Sequence, residues 1–261
     1  MKFNPNLHEE TNRKVEMETK NSRRKKKTRN KPSKGFMDLE RVRETLERAG
    51  DFWSIPNVLY RGKSHTVELY SGGVLEARTP DEWAKHYGSA KPAGEFHAPD
   101  FPLFYGVLKA LYNSKDDSSK KVEVEEAKNF LRQSSRNNWL TTLTRIKHNP
   151  KGMDEVIHNY GTSDSYKNKV KFIGPDGEIT AVDGGRACKV LLGTSDDVQK
   201  IGSIYQWLND TPTYIWRVNN KLSSVDDRVA WFYAYSDRAC LDCGWDPSDS
   251  GASLGVRLAS G

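Results

Sequence analysis

The chain has 261 residues, of which 36% are hydrophobic, with seven Trp, three Cys and a formal net charge of +6. No apolar run approaches the ~18 residues of a membrane span, and the N-terminus lacks the apolar centre of a signal peptide. Three cysteines, all after residue 187, do not make a disulfide framework, so a reduced, cytoplasmic setting is the default expectation, with surface display by another route as its alternative.

The positive charge is confined to one end. Residues 1–35 hold twelve Lys plus Arg against four Glu, a net of +8, while the rest holds 29 basic and 31 acidic residues, a net of −2. A stretch this polar cannot bury enough apolar surface to offset its ordering entropy, so residues 1–36 are expected to be a disordered basic tail. If it has a partner, that partner is an acidic membrane surface or nucleic acid, the latter bound without sequence preference through phosphate contacts.

Asp38 to Ala49 places Leu39, Val42, Leu46 and Ala49 on one face, which predicts a short amphipathic helix stopped by Gly50. Val58–Tyr60, His65–Tyr70 and Val74–Ala77, separated by glycine turns, predict three strands in a meander. Thr79-Pro80-Asp81-Glu82 is a helix start in which Thr caps and Glu82 reaches back. Further helices are expected over Phe101–Tyr112, entered through Asp100 and Pro102, and over Val122–Arg132. These elements predict a small α+β supporting region over residues 37–135.

From Trp139 the pattern changes. Alternation predicts a strand over Trp139–Lys147, and Met153–Tyr160 reads as a short helix stopped by Gly161. Gly174-Pro175-Asp176-Gly177 between Lys169–Ile173 and Glu178–Val182 predicts a hairpin. Arg186–Leu192 reads as a helix. Asp197 and its neighbours cap another helix carrying Val198, Ile201, Ile204, Tyr205 and Leu208 on one face. Strands are expected at Thr213–Val218, Val229–Tyr235 and Gly255–Leu258, the last pairing with an early strand of a domain spanning 136–261.

The run from Phe232 to Ser253 has a composition of its own. It holds four Asp, four Ser, two Tyr, two Gly and two Cys, but no Lys, Glu, Gln, Met, Ile, Val or Thr. Strands and loops normally carry β-branched residues and some Lys or Glu. Tyr and Trp with Ser, Gly and Asp are instead the vocabulary of a paratope, with rigid aromatic contacts and adaptable hydrogen bonds.

The order Tyr214-Ile215-Trp216-Arg217-Val218-Asn219, then Asp227-Arg228-Val229-Ala230, Leu241-Asp242-Cys243 and the closing Leu254-Gly255-Val256-Arg257-Leu258-Ala259 resembles the variable proteins of diversity-generating retroelements, of the archaeal or phage kind. The resemblance covers roughly residues 165–261. It implies a C-type-lectin-like C-terminal domain, of the type shared with formylglycine-generating enzymes. It also implies variable codons of the adenine-rich Asn kind, whose mutation yields Tyr, Ser, Asp, Gly, Cys, Ala and Phe. The expected function is therefore hypervariable, non-enzymatic ligand binding, with a protein or other macromolecule as partner and no cofactor.

The residues expected to touch ligand are Tyr214, Asn219, Asn220, Tyr233, Tyr235, Asp237, Arg238, Asp242, Gly244, Trp245, Asp246 and Asp249, with Trp245 read as a loop anchor. Trp207, Trp216 and Trp231 sit among apolar neighbours and read as core. Two other function classes compete. Cys240 and Cys243 could serve a formylglycine-generating-type oxidase, although their spacing and surroundings depart from that pattern. The basic tail could make the protein a nucleic-acid binder. Zinc on Cys188, Cys240 and Cys243 lacks the second paired knuckle of a structural site. The spacing of Asp237, Asp242, Asp246 and Asp249 fits no compact calcium loop.

Overall fold

The computed structural model describes residues 36–37, 52–87, 95–172, 174, 176–180, 185–218 and 222–259. Residues 1–35 of the expected tail, the helix expected at 38–49, and Asn219 and Asn220 lie outside the described residues, while Phe36 is paired in a strand. The chain divides after Gly35, and every described residue belongs to the unit Phe36–Gly261.

That unit is mixed α+β. It opens with β1 (Phe36–Met37), β2 (Phe52–Tyr60), β3 (Lys63–Tyr70) and β4 (Val74–Arg78). Helix α1 (Pro80–Tyr87) starts on the expected capping box: Glu82 N donates to Thr79 Oγ1 at 3.1 Å, and Thr79 N donates to Glu82 Oε2 at 2.8 Å. Helix α2 (Phe101–Asn113) is capped by Asp100, which accepts from Leu103 N at 2.9 Å, and it is buried on nearly every side. Its Gly106 allows a close crossing, since a Cβ there would meet the Leu59 carbonyl at 2.9 Å. Helix α3 (Lys121–Asn137) follows.

The second half contributes β5 (Leu140–His148), β6 (Asp154–His158), β7 (Tyr166–Val170), β8 (Gly177–Glu178), α4 (Gly185–Leu192) and α5 (Val198–Asn209). Asp197 caps α5 by accepting from Lys200 N at 2.7 Å. The strands β9 (Thr213–Trp216), β10 (Asp226–Ala234), β11 (Ala239–Trp245), β12 (Gly251–Ser253) and β13 (Val256–Leu258) complete the fold.

One large sheet runs in the order β1-β4-β12-β5-β10-β11-β9-β8, with β6 on β5 and β7 on β6; a smaller sheet runs β13-β3-β2. The inner face of the large sheet carries Leu140, Ile146, Ala230, Phe232, Leu241, Cys243 and Ile215, all in one core with α2, α4 and α5. Phe232 is its centre, with ring centroids 5.5 Å from Phe104 and 5.1 Å from Tyr205. On the opposite face α1 covers part of β5 with a smaller core of Leu75, Trp83, Tyr87, Ala98 and Leu143.

Several sequence expectations are corrected. Residues 37–135 do not form a separate supporting region: β4 pairs with β12, β13 pairs with β3, and one core draws on both halves. The terminal strand therefore closes onto β3, not onto an early strand of a 136–261 domain. The meander is broken because β4 leaves β3 for the other sheet. Met153–Tyr160 is not helical, because β6 is paired on both edges, by β5 and β7, and tertiary pairing overrides a weak local pattern. Among the described residues of the hairpin expected over 169–182, β7 pairs with β6 and β8 pairs with β9, so the two arms do not pair with each other there.

Candidate ligand-binding face

Alternation along the adjacent strands β10 and β11 divides the first part of the Phe232–Ser253 run between two sides of the sheet. Phe232, Ala234, Ala239, Leu241 and Cys243 point inward. Tyr233, Cys240 and Asp242 point outward, joined there by Trp216 of β9. Two register pairs fix this placement, because Asp242 lies directly opposite Trp231 on β10 and directly opposite Trp216 on β9.

The outer side is paved with aromatic rings. Trp245 stacks on Trp231 with centroids 4.7 Å apart and an interplanar angle of 11°. Trp139, at the entry to β5, lies 4.5 Å from Trp245 and 5.9 Å from Tyr233. Tyr235 meets Tyr233 edge-on at 5.4 Å. Trp231 is the floor of this cluster, at 1% exposure, while Trp139, Trp216 and Trp245 are half-buried and Tyr235 reaches 36%. Gly251 permits the arrangement: a Cβ there would fall 2.6 Å from the Trp231 ring and 2.8 Å from the Trp139 carbonyl oxygen. Beside the cluster an open cleft of about 250 Å³ is lined by Trp139, Trp231, Asn137, Asn138, Ser250 and Gly251.

Asp242 is the acid of this surface. Its Oδ2 accepts from the Tyr233 hydroxyl and its Oδ1 from Gly244 N, both at 2.9 Å. Burial raises its pKa to about 6, against the pull of hydrogen bonds from Gly244, Tyr233 and the Trp245 indole, and Asp176 adds to the rise. Among the described residues no cation pairs with it. Tyr233, buried beside this carboxylate, is pushed well above the usual phenol range, first by burial and then by Asp242.

The cysteines share a strand but not a side. Cys243 lies in the inner core, while Cys240 Sγ accepts from the Trp216 indole N–H at 2.9 Å. Residues three apart on a strand face opposite ways, so these two thiols do not meet. Burial pushes the Cys240 thiol up to about 12 and the Cys243 thiol well above its usual range, which holds both as neutral thiols.

A polar clamp supports β11 from beneath. His148, at the end of β5, lies 3.1 Å from the Cys243 carbonyl through Nε2 and 3.3 Å from Asp154 Oδ2 through Nδ1. A carbonyl only accepts, so Nε2 carries a proton. Asp154 also accepts from Asn149 N at 2.7 Å and Phe172 N at 2.6 Å. These bonds outweigh its burial and hold its carboxyl below the usual range.

Of the expected contact residues, the sheet brings Tyr233, Tyr235, Asp242 and Trp245 together. Tyr214 lies on β9, where its hydroxyl is 3.4 Å from Glu178 Oε1. Asp237 and Arg238 occupy the turn before β11, with the Arg238 guanidinium 5.6 Å from the Tyr235 ring. Asp246 and Asp249 belong to the turn after it, where Ser248 N donates to Asp246 Oδ1 at 2.8 Å. Trp245 is the last residue of a strand and does not lie in a loop. Trp139, Trp216 and Trp231 were not among the residues expected at the site. The signal for Trp231 was present in the spacing Trp231, Tyr233, Tyr235, a period-2 aromatic series.

No family model, curated protein or solved structure matches this chain. The site therefore rests on its own geometry.

Proposed function

We propose that this protein is a non-enzymatic ligand-binding protein that presents a diversified surface on a C-type-lectin-like scaffold, as the target of a diversity-generating retroelement. The observation that carries this reading is the division of the biased segment by side. Core-forming residues of β10 and β11 face the main cluster, and Tyr233, Asp242 and Trp245 gather on the other side. A segment diversified for contact must keep its inward positions constant, because changes there leave cavities or clashes. The placement of Cys240 and Cys243 on opposite sides of β11, as neutral thiols, favours binding over thiol redox chemistry.

The test is genetic. Sequencing the 3′ coding segment across a population should find substitutions at adenines in the codons of residues 233, 235, 237, 240, 242 and 244. Codons 232, 241 and 243 should stay constant. A nearby reverse-transcriptase gene and a near-copy of the segment differing at adenines complete the expectation. Uniform variation across both sets of codons would overturn it.

A further inference from the structure

Resting on the reading above, we infer that in this version of the sequence the aromatic face takes a cation, specifically an arginine guanidinium presented by a basic protein surface, with Asp242 as its counter-charge. Three features carry the inference. Asp242 is flanked on both neighbouring strands by indoles, Trp231 and Trp216, and is bonded to Tyr233. Aromatic faces attract cations through their quadrupole, most strongly where water is displaced. The Tyr233 hydroxyl, Gly244 N and the Trp245 indole all donate to this carboxylate, which leaves one of its four lone pairs for a guanidinium N–H.

Charge complementarity selects the partner. The run Phe232–Ser253 holds four Asp and one Arg, a net of −3, and the Asp237 side chain is 70% exposed at its edge. An anionic ligand would meet this field unfavourably. A neutral polyol would stack on the rings and donate a hydroxyl to Asp242, yet leave the negative charge of the carboxylate unmatched. A guanidinium uses both features together, because it is planar enough to stack on an indole while its N–H groups reach a carboxylate.

N-acetyl-arginine amide and its neutral isostere N-acetyl-citrulline amide would be titrated into the full chain, following the indole N–H resonances by NMR. The arginine compound should shift the Trp216 and Trp245 signals saturably, and the citrulline compound should bind about fivefold more weakly or worse. Asp242→Asn should remove most of that difference, with a melting curve to establish that the variant is folded. Equal binding of the two compounds to the unmodified chain would overturn the inference without recourse to any variant. Codon variation with no arginine preference would sink the cation and leave the diversified surface standing. Arginine preference in a population with constant codons would do the opposite.

Discussion

A carboxylate set among indole rings ionises reluctantly, and the sign of its effect on stability follows. The folded pKa of Asp242, about 6, lies above the ~3.9 of an unfolded Asp, so the folded state holds this proton more tightly. Its contribution is full below about pH 4 and is lost as the pH rises through about 6. His158 and Asp154 act in the other direction: burial depresses His158 and hydrogen bonds depress Asp154, so both cost stability in acid. Subtracting the urea-unfolding curve of Asp242→Asn from that of the parent across pH 4–8 isolates the first effect. The variant should gain relative stability as the pH rises from 4 through about 6 and then level off, and a difference independent of pH would refute the assignment. Side-chain direction also separates neighbours in sequence. Phe232→Ala should cost ~3–5 kcal/mol as a core truncation, whereas Tyr235→Ala, at 36% exposure, should stay within about 1 kcal/mol. Comparable losses in denaturant unfolding would mean that the two sides of β10 are not distinct.

At the scale of elements, local chemistry was legible where it was strong. The Thr79–Glu82 box, the Asp100 cap with Pro102 and the Asp197 cap announced α1, α2 and α5 because each cap is made within a few residues of chain. Pairing was not legible, because partners are chosen by the whole fold. Asp154–His158 became a strand once β5 and β7 lay on either side of it, and Val74–Arg78 found β12, far along the chain at Gly251–Ser253, in place of β3. The site was legible as a composition and only partly as a place. The bias of residues 232–253 identified Tyr233, Tyr235, Asp242 and Trp245, but Trp139 arrives from the entry to β5 and nothing local to it announced the contact with Trp245. Gly106 gives an element-scale test. Its missing side chain lets α2 approach β2, so Gly106→Ala should destabilise despite alanine's better helix propensity. A raised melting temperature would show that the crossing has slack.

For the molecule as a whole, the end of the chain is a structural member. Leu254 and Val256 are buried in the main core, and β13 pairs with β3 through Val256, Arg257 and Leu258. The closure extends past the strand itself: Tyr70 N donates to the Gly255 carbonyl at 2.9 Å, Val256 exchanges hydrogen bonds with His97, and Ala259 N donates to the Thr66 carbonyl at 2.9 Å. Arg257 pairs with Glu68 and lies over the ring of Phe96. Losing this segment would expose β3 as an unpaired edge and open the core that both halves of the chain share. Two buried aliphatic side chains alone are worth about 2–5 kcal/mol each when truncated to Ala, a large fraction of the ~5–15 kcal/mol by which domains are stable. A chain ending at Ser253 should therefore lose its cooperative thermal transition and its near-ultraviolet tryptophan signal together, with the Trp139–Trp231–Trp245 cluster collapsing along with the core it rests on. If the two halves were independent, the truncated chain would instead keep that signal and lose only the β2–β3 hairpin, which makes near-ultraviolet circular dichroism of the truncation the deciding measurement.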